Sequence, residues 1–272
     1  MRLGVHVYGT ASVAAGVLDL VWREFEPAHQ PIQAWGNHIP GVTALAILAA
    51  VWLIAGGVAM QWRRFARTGA AMMAVLYAIF SIFPLPRLYT APHYLGQHAA
   101  VYIGVFSSIA QQLILVIAAV TLWAMLSQQE SLSPAGSRLC RWVFGLCSVD
   151  FGLAHLTGIQ AAAAMVPKWM PLGAAFWTVF TGLAFILAGL AILSGVLDVW
   201  ASRLLGLMLL IFSILTLTPM IFAAPHNHIA WGGDAYNLTA VGAAWIFADW
   251  LEMRRPRVSE QPTATLDPSP VA

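Results

Sequence analysis

The chain has 272 residues, of which 60% are apolar and 9% charged, far below the roughly 25% charged residues of an average soluble domain. That composition excludes an ordinary soluble globule and marks a chain built for lipid. The net charge is only +2, and the arginines stand scattered at helix ends with no basic stripe, which excludes a nucleic-acid footprint.

In chain order, apolar runs of about 20 residues, the length that crosses a bilayer, are expected at roughly 3–22, 41–60, 69–86 and 98–125. Four more follow at about 140–165, 172–197, 204–222 and 237–252. The first run follows Met1-Arg2 in the manner of a signal peptide. It carries His6 and Asp19, lacks a cleavage site before a soluble domain and has an equivalent in the second half, so it is read as a span. The end "RRPRVSEQPTATLDPSPVA" is proline-rich and polar, a composition that cannot bury a core. The expected organisation is a first four-span module over 1–130, a cytoplasmic linker over 131–139, a second module over 140–252 and a disordered tail over 253–272.

Orientation follows from the thirteen positive residues. With the amino terminus inside, ten arginines are cytoplasmic, while Arg23, Arg87 and Lys168 lie outside. The positive-inside rule then places both termini in the cytoplasm. Tryptophans near span ends, among them Trp22, Trp62, Trp142, Trp169 and Trp231, suit the interface as anchors.

The two halves repeat one order of events. "WLIAGGVAM" in the second span answers "FILAGLAIL" in the sixth, and Gly16-Val-Leu-Asp19 answers Gly152-Leu-Ala-His155. Because four spans form each module, the second enters the membrane in the same direction as the first. The fold class is therefore an all-α integral membrane protein, eight transmembrane helices arranged as two parallel four-helix repeats about an axis along the membrane normal.

A proline followed by Ala-Pro-His also occurs twice: Pro86 before Ala91-Pro92-His93, and Pro219 before Ala224-Pro225-His226. Proline obstructs helix continuation and holds the preceding residue out of the helical region, so each third span is expected to stop there, with a histidine after an extended turn. Such a histidine either bonds a carbonyl freed at the helix stop or serves as a ligand or proton-handling group at the outer mouth. The second copy adds His228, and His29, His38 and His98 fall on the same side. Imidazole is a common ligand for zinc, copper and iron, but no spacing here matches an established metal or haem signature, and no metal is assigned.

Polar residues inside the spans are few. A charged aspartate at the centre of a membrane helix costs about 2.5–3.5 kcal/mol on insertion scales, so Asp19 and Asp150 should face the bundle interior, be protonated or find partners. Asp19 and His155, at equivalent positions of the two modules, form a candidate cross-repeat pair that handles protons or a ligand; polar adhesion between helices is the competing role. Cys140 and Cys147 are seven positions apart on one helix, about 10 Å along its axis, too far for a disulfide.

The second half resembles the DoxX-like family of bacterial four-span membrane proteins. The resemblance rests on Gly152-x-x-His155, the turn Val166-Pro167-Lys168-Trp169-Met170-Pro171, Thr181-Gly182, Asn237-Leu238 and Gly242-Ala243-Ala244, and it covers roughly residues 140 to 252. The first half departs from it, since Asp19 replaces the histidine and Asn237-Leu238 has no clear equivalent. The resemblance implies a bacterial inner-membrane protein that binds a small hydrophobic or redox-active molecule near its outer face. Through members associated with thiosulfate:quinone oxidoreduction or thiol stress, it also implies an oxidoreductase partner subunit, with a quinone as the suggested cofactor and haem or metal a weaker fit. The candidate ligand-binding or proton-handling residues are Asp19, His93, Asp150, His155, His226, His228 and Asn237. The alternative is a non-catalytic scaffold or small-molecule carrier whose polar groups serve packing.

Overall fold

The computed structural model describes residues 2–26, 29, 40–127 and 132–255. His38, the outer loop around it and the tail beyond 255 lie outside the described residues. All regular structure among the described residues is helical: α1 (Leu3–Trp22), α2 (Val42–Ala59), α3 (Ala66–Ile82), α4 (Arg87–Leu95), α5 (Ala99–Met125), α6 (Pro134–Thr157), α7 (Ile159–Ala163), α8 (Ala174–Ser194), α9 (Asp198–Phe212), α10 (Thr218–Ala223) and α11 (His228–Met253). A single π turn, Ser213–Leu217, joins α9 to α10.

Seven helical segments are long and apolar enough to cross a membrane. Their exposed faces are rich in Leu, Ile, Val, Phe and Trp, as in Leu48, Leu187, Trp200 and Leu204, which suits contact with lipid. The remaining long helix, α11, has 26 residues, about 39 Å at 1.5 Å per residue. It carries His228, Asp234, Asn237, Asp249 and Glu252, yet 17 of its residues are buried. It packs on α1, α5 and α9. A helix surrounded by protein need not be apolar all round, because its polar side chains meet other helices instead of lipid.

Packing in the two halves follows one scheme. In the first, α1 packs on α2, α2 on α3 and α3 on α5; in the second, α6 packs on α8, α8 on α9 and α9 on α11. Between halves, α1 packs on α11, α6 on α5, and α5 on α11. The α1–α2 and α6–α8 contacts use glycines in the same way. A Cβ added to Gly57 would stand 2.5 Å from the Gly9 carbonyl oxygen and also strike Val13; one added to Gly189 would stand 2.6 Å from the Gly145 carbonyl oxygen and strike Val149. Small residues let the helix backbones meet where lipid offers no hydrophobic drive to hold them together.

Sequence expectations change at several helix ends: the seventh and eighth spans begin earlier than expected, α9 at Asp198 and α11 at His228. The linker over 131–139 is shorter, since α6 already starts at Pro134: the Ser133 hydroxyl accepts the Gly136 amide and Pro134 takes the first helical position, the favoured arrangement for a helix start. Ala91-Pro92-His93 is not an extended turn but lies inside α4. Pro86 starts that helix by accepting the amides of Tyr89 and Thr90, and Pro92 then forfeits only the bond to the Leu88 carbonyl. In the second copy Ala224 does leave the helical region, at φ −141° and ψ 68°, but Pro219 does not stop the helix. The chain widens into the π turn just before it, which relieves the clash of the proline ring with the preceding turn.

One end of the bundle gathers the arginines into ion pairs. Arg2 reaches Asp249 at 2.8 Å, Arg203 reaches Glu252 at 2.8 Å, and Asp198 is held by Arg141 at 2.7 Å and Arg255 at 2.8 Å. The acid–imidazole residues described below occupy the opposite end.

Gly57→Ala and Gly189→Ala should each part a helix pair and cost about 1–3 kcal/mol, the usual price of overpacking, read as a lower melting temperature in detergent. Gly104→Ala, with open space around its Cβ, should be neutral or slightly stabilising, because alanine is the better helix former.

Candidate functional site

The site forms where the end of α1 meets the start of α11. Arg23 adopts a left-handed conformation, φ 57°, at the end of α1, and the chain turns back so that Phe25 and Glu26 are buried against the bundle. The Glu26 amide donates to Asp19 Oδ1 at 2.9 Å, tying the turn to the helix it has just left. Glu26 lies against Gly232 of α11, where any Cβ would overlap its Cγ. On the other side, Asn227 caps α11 by accepting the Ile229 amide at 2.9 Å, which fixes His228 as its first residue.

His228 thus stands over the end of α1. Its ring stacks on Trp22 with centroids 4.7 Å apart and planes 4° from parallel. Its Nδ1 lies 3.1 Å from Glu24 Oε1 and its Nε2 lies 3.6 Å from Asp19 Oδ1. Asp19 is fully buried. Glu24 is more than half exposed and, ionised, can only accept, so Nδ1 carries the proton of that bond. A neutral ring would then turn the bare Nε2 lone pair toward an ionised Asp19. A second proton, on Nε2 or on Asp19, removes the repulsion, so the geometry is that of a proton-holding pair.

Beside it, His29 is 2% exposed and stacks on Phe80 at 4.3 Å, with Tyr77 at 5.9 Å. Its Nδ1 stands 3.7 Å from Glu26 Oε2, and neither ring nitrogen has a hydrogen-bond partner. Burial, reinforced by the nearby His228, pushes its pKa down to about 3: an enclosed ring loses the hydration that stabilises its charged form. Asp19 Oδ2 and His228 Nε2 are likewise buried without a hydrogen bond. Native proteins pair such groups almost without exception. A cluster of unbonded donors and acceptors, walled by Phe25, Tyr77, Phe80 and Phe83, therefore has the chemistry of a place that receives something.

The sequence candidates divide. Asp19 and His228 come together; Asp19 and His155 do not form the anticipated pair. The reason is topological: α1 packs on α11, while α6 packs on α5. His155 instead uses Nδ1 on the Phe151 carbonyl at 2.8 Å and leans on Phe185. Asp150 accepts a 2.6 Å bond from Ser107, linking α6 to α5. Asn237 donates to the Leu209 carbonyl at 2.7 Å and to Ser213 at 2.9 Å. His93 and His226 are exposed. Trp22, Glu24, Glu26 and His29 were missed as site residues. Their signal was density: the chain has 11 acidic residues in all, and Asp19, Glu24 and Glu26 fall within eight positions. Among the described residues, no group of three His, Cys, Asp or Glu side chains is arranged to hold a metal ion.

His29 supplies a pH test. Its depressed pKa means that the folded protein binds fewer protons at this residue than the unfolded chain does between pH about 6.5 and about 3. Stability is therefore full above about 6.5 and falls as pH drops through that window, by about 1 kcal/mol per unit. His29→Gln should flatten this acid limb in melting curves collected from pH 7 to pH 4.

No family model, no curated protein and no solved structure matches this chain, so the chemistry of the site rests on its own geometry.

Proposed function

We propose that the protein is an eight-span membrane protein of the bacterial inner membrane, built from two parallel DoxX-like repeats with both termini in the cytoplasm. In this reading it binds a small hydrophobic molecule with a hydrogen-bonding head, of which a quinone is the best fit, at the Asp19–His228 cluster. The repeat is supported by the matching packing scheme and by the paired contacts of Gly9 with Gly57 and Gly145 with Gly189. The orientation is supported by the ion-paired arginines at one end of the bundle. A length of 26 residues and central packing support α11 as the eighth span.

The observation that carries the ligand reading is the set of buried, unbonded atoms on Asp19, His29 and His228. A neutral His29 offers one donor and one acceptor. The Asp19–His228 pair holds a proton beside them. A quinone head accepts hydrogen bonds at its two oxygens and, when reduced, gains two electrons and two protons. The cluster is suited to bind the head and exchange the protons, and the electrons would come from an oxidoreductase partner acting on a thiol or an inorganic sulfur compound.

A non-catalytic scaffold or carrier is the second reading, and specific bonds favour it. Asp150–Ser107 and Asn237–Ser213 each join two helical elements and leave those polar groups employed in packing.

Binding separates the two. Quinone should co-extract with protein purified in mild detergent, and a short-tail quinone should quench the tryptophan fluorescence to which Trp22 contributes. Asp19→Asn and His228→Gln should weaken that binding about tenfold or more, as expected for loss of a charged hydrogen bond, while the exposed His226→Gln leaves it unchanged. Equal affinity in all four proteins, or no affinity in the wild type, would favour the scaffold.

A further inference from the structure

The central helix has a second polar face. At about 100° per residue, Asp234 lies about 200° around α11 from Gly232, which touches Glu26, and Asn237 lies about 140° around from the same residue. These two side chains meet α9, the π turn and α10 rather than α1. Asp234 sits six residues from the start of α11, about 9 Å into the helix, and is 7% exposed. Its Oδ2 accepts a 3.0 Å bond from the Thr218 hydroxyl. Its Oδ1 is buried with no hydrogen-bond partner. Among the described residues, Asp234 forms no ion pair with a Lys, Arg or His.

The backbone opposite is broken in a particular way. The Thr218 amide closes onto the Ser213 carbonyl, five residues back, so the ladder has slipped out of its α register. The next residue, Pro219, has no amide proton to give to either Ile214 or Leu215, the acceptors of the π and α registers, so that turn leaves carbonyl capacity unused. Asn237 pins the start of the turn through Leu209 and Ser213. A buried carboxylate, a hydroxyl and carbonyl oxygens from an interrupted helix are all hard oxygen donors, the set with which membrane proteins coordinate small cations at broken helices. One carboxylate balances one positive charge, which selects a monovalent ion over calcium or magnesium.

We propose that Asp234, Thr218 and the π turn form a sodium-binding site on the face of α11 opposite the acid–imidazole cluster. Sodium supplies the counter-charge that a carboxylate at this depth otherwise lacks, and its binding would rigidify the π turn. The site does not depend on the nature of the ligand at Asp19 and His228.

Full-length protein in detergent, held at constant ionic strength with choline chloride, tests this. The melting temperature should rise with sodium concentration and saturate, as for any ligand that binds the folded state, and radioactive sodium should bind by scintillation proximity. Asp234→Asn should melt cooperatively with no response to sodium, and Thr218→Val should require about tenfold more sodium, for one lost ligand. The proposal is overturned if the wild type neither binds radioactive sodium nor melts differently in sodium and choline. It is equally overturned if Asp234→Asn keeps the full sodium response. Should Asp234→Asn fail to fold, the wild-type binding measurement and Thr218→Val decide alone.

Discussion

A helix that touches protein on most sides escapes the rule that governs its neighbours. The other long helices present at least one exposed, apolar face suited to lipid; α11, enclosed by α1, α5 and α9, places His228, Asp234 and Asn237 in the interior. Much of the rest of the structure follows from that enclosure. Polar groups on α11 must be matched by neighbours, and α1 supplies Asp19 while the segment after α9 supplies Ser213 and Thr218. The matching is incomplete on both faces, and the unmatched atoms of Asp19, His228 and Asp234 lie beside two irregular pieces of backbone, the left-handed turn after α1 and the π turn after α9.

Two energies compete at the Asp19–His228 cluster. Burial penalises each charge separately, and proximity rewards opposite charges taken together. Stacking on Trp22 keeps the His228 ring fixed and favours a positive ring over the indole face. His29, stacked on Phe80 and fully enclosed, resolves the competition the other way and stays neutral. Two imidazoles in one cluster are thereby set to different tasks: His228 shares a proton with Asp19, and His29 is a neutral ring whose donor and acceptor are both unbonded.

Much of the fold was legible because lipid imposes a simple demand. The first four apolar runs and the sixth match their helices to within a few residues, since a span must be long and apolar whatever it packs against. The start of α6 was misplaced because the reading followed hydropathy and passed over the Ser133-Pro134 cap. Pro92 was read by its usual preference, but tertiary packing tolerates one missing bond in α4. Pairing was the harder inference. Asp19 was singled out by cost, being charged inside an apolar run, and His228 by its place beside the second Ala-Pro-His, yet the choice of His155 as partner to Asp19 assumed contact across an axis that brings α1 to α11 instead. His29 was counted among the outer histidines without a role, because burial in an aromatic wall is a property of the folded chain and has no local signature.

The most direct test is a high-resolution cryo-EM map of the protein reconstituted in lipid nanodiscs. If the enclosed polar cluster is a binding site, non-protein density should lie within hydrogen-bond reach of Asp19 Oδ2, His29 and His228 Nε2. A map in which those side chains turn to satisfy one another, with no density between them, would contradict the account and leave α11 as a packing element alone.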